Sequence, residues 1–136
     1  MQKLVVPINL INVGKTPALK LAVNSYAEVL NNSQSPSLSY PTSYPDVGIS
    51  TTVGMMFQNT SSEVPIGTNK SITETQRTSI TDGASYIVFY GNVEYFDIFG
   101  RIHETRFCWM EFFAGLKKIT SINARTCTDY NYTDPN

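Results

Sequence analysis

The chain has 136 residues, enough for one domain with a sizeable core, and 41% of them are hydrophobic, which excludes wholesale disorder. Ten basic and eleven acidic residues give a net charge of -1, so a nucleic-acid-binding surface, which is normally basic, is not expected. No apolar run approaches the roughly 18 residues that a membrane-spanning helix needs. We therefore predict a single domain over residues 1–136, with no nucleic-acid partner and with membrane attachment only through a segment outside this sequence.

The first predicted strand covers residues 4–10, where apolar residues recur at every second position and so share one face. These residues are Leu4, Val6, Ile8 and Leu10. Pro7 cannot donate a hydrogen bond to a neighbouring strand, which places this strand at a sheet edge. Residues 12–18 form a turn, and residues 19–23 return as a second strand antiparallel to the first. The sequence SYAEVL that follows fits either a helical turn or a continuation of that strand.

A long loop rich in Ser, Tyr and Pro is predicted for residues 31–45. Its three prolines are Pro36, Pro41 and Pro45. They exclude a helix or a central strand, and loops of this length are usually functional or mobile. Tyr40 and Tyr44 are candidates for contact with a ligand or a partner. The alternative is that both rings lie flat on their own domain, since tyrosine is commonly half-buried.

Three further strands are predicted downstream of this loop. Residues 48–57 and 69–80 are rich in Thr, Ile and Val, and the turn-forming residues 58–67 separate them. Residues 82–96 form the strongest predicted strand. About five to seven strands, with turn signals roughly every ten residues and no convincing amphipathic helix, predict an all-β fold, an antiparallel β-sandwich of immunoglobulin-like type.

Residues 95–112 contain the only histidine and the only tryptophan of the chain, together with one of its two cysteines. Asp97 can cap the first position of a tight turn and Gly100 can adopt a positive φ at its last position, so a hairpin is predicted here. A turn of two or four residues gives a register in which Glu94 faces His103 and forms a cross-strand ion pair with it. The other predicted pairs are Gly91 with Arg106, Phe89 with Cys108, and Ile87 with Met110.

A catalytic site in this hairpin is not expected. His103 and Cys108 are an odd number of positions apart, so in an unbroken strand they point to opposite faces and lie roughly 16 Å apart along it. An imidazole activates a thiol only over about 3 Å. His103 and Glu104 also diverge, which argues against a metal site. We predict no catalytic residue, metal or cofactor, and we do not expect the chain to be an enzyme.

Three segments carry a resemblance to a known family. They are NVGKTPA at residues 12–18, YGNVEYFDIFGRIHETRFC at residues 90–108 and CTDYNYTD at residues 127–134, with residues 24–80 unmatched. On these motifs the chain resembles a bacterial domain of uncharacterised function that often follows an N-terminal membrane segment. The resemblance implies an extracytoplasmic location, in the periplasm or at the cell surface, but carries no activity or substrate. Because the membrane segment is not in this sequence, the chain is expected to be a fragment of a larger membrane-anchored protein.

Cys108 and Cys127 are the only cysteines, and an even number in an extracytoplasmic context favours a disulfide. A turn at Gly115 would fold the chain back and bring Ser121 near Cys108, so that a short reversal places Cys127 within disulfide range. We predict a structural disulfide between the two cysteines that pins the C-terminal tail to the sheet. The alternative is a free, buried Cys108 thiol that packs as a small hydrophobe.

The predicted function is a non-enzymatic, extracytoplasmic module for protein interaction or assembly. In one form, the edge strand that contains Pro7 accepts a strand from a neighbouring copy, as in a self-assembling surface or filament subunit. The alternative is a small-ligand or carbohydrate-binding domain that uses exposed rings of Tyr40, Tyr44 and Trp109. Trp109 is otherwise expected to pack in the core or to cover the sheet beside Phe107.

Overall fold

The computed structural model describes residues 3–36, 48–112, 123–127 and 131–134. Within these ranges it has eight strands and one helix. The elements in chain order are β1 (Lys3–Ile11), β2 (Ala18–Asn31), β3 (Ile49–Met56), β4 (Ser61–Ser71), α1 (Glu74–Thr81), β5 (Ser85–Phe96), β6 (Ile102–Phe112), β7 (Asn123–Thr126) and β8 (Tyr132–Thr133). Every strand pair is antiparallel, which confirms the predicted all-β sandwich, with one short helix added.

Two sheets form the sandwich. The smaller sheet pairs β1 with β4, and the larger has the order β3-β2-β5-β6-β7, with β8 pairing β6 beside β7. The main core lies between the two sheets and under α1, where Val64 and Ile66 of β4 meet Val23 of β2 and Phe89 of β5. A second cluster, which includes Val88, Tyr90 and the two cysteines, lies on the outer face of the larger sheet. For this reason most of β5 is buried on both of its faces.

The alternation predicted for β1 is confirmed, because Leu4 is buried and the other apolar residues of the same face pack against the core. The prediction that β2 returns beside β1 is wrong. β2 pairs with β3 on one edge and with β5 on the other, so the turn after β1 carries the chain from one sheet to the other. The sequence SYAEVL continues β2 as far as Asn31.

Pro7 lies at a sheet edge as predicted, since β4 is the one strand that pairs with β1. Its partner in the register is a second proline, Pro65. Two prolines can face each other only at a non-hydrogen-bonded pair, where both backbone nitrogens point away from the partner strand. The smaller sheet therefore lacks an N–H donor on both of its outer edges at this position.

Residues 58–80 differ most from the prediction. Residues 61–67, predicted as a turn, begin β4, and the strand predicted over residues 69–80 ends at Ser71. A capping box starts α1 instead: Thr73 Oγ1 accepts from the Gln76 N–H (3.1 Å), and Gln76 Oε1 accepts from the Thr73 N–H (2.9 Å). Ile80 on the inner face of α1 is fully buried and anchors the helix to the core.

Two glycines allow the sheets and strands to approach closely. A Cβ at Gly67, which has a φ of 130°, would overlap the carbonyl of Leu4. A Cβ at Gly91 would overlap the carbonyl of Asn24 on the neighbouring strand. Between them, the buried Ser25 hydroxyl accepts from the Gly67 N–H at 3.0 Å and so links β2 to the smaller sheet.

Within the described residues, no helix is both long enough and apolar enough to cross a membrane.

Candidate functional site

The hairpin between β5 and β6 turns over residues 97–101. Asp97 Oδ1 accepts from the backbone N–H groups of Phe99 (2.8 Å) and Arg101 (3.0 Å), and Gly100 has a φ of 80°. Asp97 and Gly100 thus hold the turn as their residue types predict. Because the Asp97 side chain also captures Arg101, the turn contains five residues, one more than the longest predicted loop.

The extra residue shifts the register by one, so the predicted pairs are wrong. The observed partners are Tyr95 with His103, Glu94 with Glu104, Gly91 with Phe107, Phe89 with Trp109, and Ile87 with Glu111. The shift exchanges the faces of β6 relative to β5. Cys108 therefore lies on the outer face of the larger sheet, while Phe107 and Trp109 face the main core.

His103 is bonded to two aspartates, which together with Tyr95 we call the His103 cluster. Nε2 lies 2.9 Å from Asp97 Oδ2, and Nδ1 lies 3.2 Å from Asp134 Oδ1. The imidazole stacks on Tyr95, with 5.1 Å between ring centroids. Because both ring nitrogens face carboxylate oxygens, these contacts favour the protonated imidazole, in which both nitrogens donate. The predicted Glu94 to His103 ion pair is wrong, and Glu94 Oε1 instead accepts from Asn92 Nδ2 at 3.0 Å.

The hydrogen bond to Asp97 raises the pKa of His103 above its usual value, and Asp134 adds to this rise while burial opposes it. Conversely, the hydrogen bond from His103 holds the pKa of Asp97 well below its usual range. The other carboxylate oxygens are also engaged, since Asp134 Oδ2 accepts from the Glu104 N–H at 2.8 Å. The cluster therefore links the hairpin, β6 and the C-terminal tail to one another through hydrogen bonds.

The predicted disulfide between Cys108 and Cys127 is present, with 5.4 Å between the Cα atoms. Beside it, the Asn131 side chain bonds the backbone of Cys108 in both directions, as a neighbouring strand would. Asn131 Oδ1 accepts from the Cys108 N–H at 2.9 Å, and Nδ2 donates to the Cys108 carbonyl at 3.1 Å. Gly115 and Ser121, through which the reversal was predicted, lie outside the described residues.

Of the three residues predicted to contact a ligand, Trp109 lies in the described part of the chain. Trp109 stacks on Phe89, with 5.4 Å between ring centroids, and is half-buried against the core. Tyr40 and Tyr44 lie outside the described residues. Over residues 3–36, 48–112, 123–127 and 131–134, no group of three or more His, Cys, Asp or Glu side chains could hold a metal ion.

A small pocket lies between β2 and β4, where Glu28 and Tyr26 face Lys70 and Gln76. Burial raises the pKa of Glu28. The pocket has a volume of about 110 Å³, whereas small-molecule sites usually have at least roughly 300 Å³. It is therefore too small to hold a sugar ring in the way that a ligand-binding domain would.

Three connections meet at one end of the sandwich, which we call the loop end and define as residues 11–20, 55–60 and 97–102. Asn12 ties two of them together, because its N–H donates to the Thr60 carbonyl (3.2 Å) and its Nδ2 donates to the Met56 carbonyl (3.0 Å). The third connection is the β5–β6 hairpin, which adjoins β2 where Leu19 pairs with Phe96. The three connections thus form one surface.

The loop end is apolar. Of the nine exposed large hydrophobic residues in the described part of the chain, seven lie here: Ile11, Val13, Met55, Phe57, Ile98, Phe99 and Ile102. Val13 and Phe99 are the most exposed, at 84% and 74%. None of these residues was predicted to be a contact residue. The available signal was the presence of apolar residues inside turns, next to Gly14 and Gly100, where polar residues are the rule.

Comparison with known proteins gives no relative, since no protein family, curated protein or solved structure matches the chain.

Proposed function

We propose that this chain is a non-enzymatic β-sandwich module that lies outside the cytoplasm and works by interaction or assembly, with the loop end as its contact surface. The observation that carries the proposal is the concentration of seven exposed large apolar side chains at that end. Single exposed apolar residues are common on proteins, but a contiguous group of them normally marks an interaction site.

The extracytoplasmic location is supported by the disulfide. Disulfides persist in oxidising compartments and are rare where thiols are kept reduced. Cys108 is 1% exposed and Cys127 lies at the base of the tail, so the bond has a structural position in the fold. A periplasmic or cell-surface location accounts for such a bond.

Assembly by strand addition at β1 is disfavoured by the opposed prolines. Pro7 and Pro65 remove one N–H donor from each outer edge of the smaller sheet, so an incoming strand could not form a complete ladder on either edge. If the chain assembles with a second copy or a protein partner, we expect the contact at the loop end.

A triple variant, Val13→Ser with Phe57→Ser and Phe99→Ser, tests the proposal with one substitution in each connection. Wild-type protein should bind the apolar dye ANS in its native state and should show a concentration-dependent mass in light scattering if it self-associates. The triple variant should lose the dye signal and keep its Tm, because these three side chains are exposed and contribute little to the core.

Val5→Ser is the matched control, since Val5 is also exposed, at 38%, but lies far from the loop end on β1. The control should retain the dye signal. A large fall in the Tm of the triple variant would show that these residues are structural and would refute the proposal. A strictly monomeric wild-type protein at all concentrations would remove the self-assembly form alone.

A further inference from the structure

We infer that the loop end inserts into the surface of a lipid bilayer that carries anionic headgroups. This inference rests on the proposed function, because it names the partner of the same surface.

The apolar side chains surround the loop end instead of occupying one side of it. Leu10 faces the core, so its neighbour Ile11 points out from the smaller sheet. On the opposite side of the sandwich, Met56 faces the core and Met55 points out from the larger sheet. Docking against a folded partner would bury one side of such an end. Immersion in an apolar medium buries all sides together.

Four of the seven exposed apolar residues lie outside the strands, and these include the two most exposed, Val13 and Phe99. Val13, Ile98 and Phe99 lie within turns beyond the last paired residues of the strands, and Phe57 directly follows β3. A convex group of aliphatic and aromatic side chains suits a deformable partner, since peripheral membrane segments bury their apolar residues roughly 5–10 Å deep at the headgroup boundary. Hydrogen bonds of the Asn12 and Asp97 side chains already fix the turns. Insertion therefore does not cost the conformational entropy of ordering them.

The charges at the loop end favour an anionic surface. Its ionisable residues are three cations, Lys15, Lys20 and Arg101, and one carboxylate, Asp97. The Asp97 side chain is only 10% exposed, and its Oδ2 lies 2.9 Å from both His103 Nε2 and Arg101 Nε. The Arg101 side chain is nevertheless 70% exposed, and Lys15 and Lys20 add two further positive charges. The loop end is thus positive in a chain whose net charge is -1. Lysine and arginine next to an apolar surface are attracted to anionic lipid headgroups.

Lys20, one of these three cations, has an unusual backbone conformation. It has a φ of 50°, in the left-handed region that disfavours a residue with a Cβ, at a register shift in β2. The side chain lies over the Phe96 ring, with Nζ 5.7 Å from the ring centroid, and Phe96 pairs with Ile102 of the loop end. Glycine would fit this backbone better, and beyond the contact with Phe96 we assign the lysine side chain a role in attracting anionic headgroups.

Flotation with phospholipid vesicles tests the inference. The purified protein should bind vesicles of mixed phosphatidylcholine and phosphatidylglycerol and should bind phosphatidylcholine vesicles more weakly. Added salt should weaken binding to the mixed vesicles, because it screens the cations. The triple serine variant should bind at least about tenfold more weakly.

Lys20→Gly separates binding from stability. The variant should have an equal or higher Tm, because it relieves the left-handed backbone, yet it should bind mixed vesicles roughly fivefold more weakly. Lys70→Ala is the matched control, since Lys70 is exposed on β4 near the opposite end and should leave binding unchanged. Phe99→Trp should show a blue-shifted emission with vesicles that Val5→Trp does not show.

The outcomes are distinct for the two proposals. If wild-type protein does not float, or if the triple variant floats equally well, the membrane inference is overturned. If wild-type protein does not float but self-associates, and the triple variant loses that self-association, the loop end contacts a second copy. The membrane inference then fails and the proposed function stands. If neither vesicle binding, dye binding nor association depends on these residues, both proposals are wrong.

Discussion

The loop end and the outer edge of β6 both lie at the surface of the protein. Other parts of the chain cover the β6 edge, whereas the loop end is left uncovered. Along β6 the backbone is covered from Phe112 to Glu104: β7 pairs with its last residues, Asn131 bonds Cys108, β8 pairs next, and Asp134 bonds Glu104. The loop end instead leaves large apolar side chains uncovered. The protein thus covers an edge that could pair with strands of other chains and leaves exposed an apolar surface, which we propose as its contact surface.

The largest effect should come from removing the disulfide, which links Cys127 covalently to β6. Replacing both cysteines, Cys108→Ala with Cys127→Ala, should lower the free energy of unfolding by about 3 kcal/mol, from the sequence separation of 19. This corresponds to a fall in Tm of roughly 10 °C for a chain of this length. Thermal unfolding followed by circular dichroism measures it. An unchanged Tm would show that the non-covalent contacts alone close the edge.

Asn131→Ala should have the next largest effect, because it leaves the Cys108 N–H without its side-chain acceptor. The expected loss is about 1–3 kcal/mol in the free energy of unfolding. Asn131→Asp is the matched control, since it keeps the acceptor for the Cys108 N–H and loses the donor to the Cys108 and Cys127 carbonyls. The control should therefore lie between wild type and Asn131→Ala in urea unfolding. Equal stability of all three would contradict the strand-like role of Asn131.

A smaller effect is expected at the His103 cluster, which links the loop end to β6. It should appear as a dependence of the Tm on pH. The pKa of His103 is raised above its usual 6.5, so its stabilisation is complete below that pH and is lost as the pH rises through the shifted value. The pKa of Asp97 is lowered from its usual 3.8, so its stabilisation is present above that pH and is lost as the pH falls.

The Tm should therefore be highest between these two limits, and His103→Gln should flatten its decline on the alkaline side. Tm measured against pH for both proteins is the test. If the Tm of His103→Gln falls on the alkaline side as steeply as that of wild type, groups other than His103 cause the fall. Asp134→Asn should give an intermediate profile, because it removes one of the two charges that raise the pKa of His103.

The smallest effect should come from the loop end itself. Val13→Ser should change the free energy of unfolding by less than about 0.5 kcal/mol, because Val13 is 84% exposed. Urea unfolding in parallel with Asn131→Ala shows whether the assay resolves the difference. A loss comparable to that of Asn131→Ala would mean that the apolar end supports the fold.

The sequence predicted features with a strong local pattern. The alternation in β1 and the end of β5 at Phe96 were confirmed, as was the disulfide, whereas β5 begins at Ser85 and not at residue 82 as predicted. The register of β6 was not, because hydrophobic alternation fixes a register only when one face is polar, and β5 is buried on both faces. The Asp97 turn then decided the register through a hydrogen bond to Arg101, which residue types alone do not reveal.

Two other errors have different physical causes. The Thr-rich composition around Thr73 favoured a strand, but a capping box and a buried Ile80 outweigh such weak propensities. The pairing of β1 with β4 and the Asp134 contact with His103 join distant residues, and no local pattern predicts them. The loop end was not predicted because the turns were identified from their Gly, Pro and Asp residues, and the apolar residues within them, such as Val13 and Phe99, were given no role.

The pairing of β1 has a consequence for synthesis. Ile11, at the end of β1, pairs with Ser61, so fifty residues must follow β1 before its first partner is made. At roughly 5–20 residues per second, the strand waits about 3–10 s with its apolar stripe available to other chains or to chaperones. Pro7 lies at the centre of the strand, on the face opposite that stripe, and its missing N–H donor limits ladder formation during the wait. We therefore expect the residue that lies at the finished edge also to reduce premature pairing of the nascent chain.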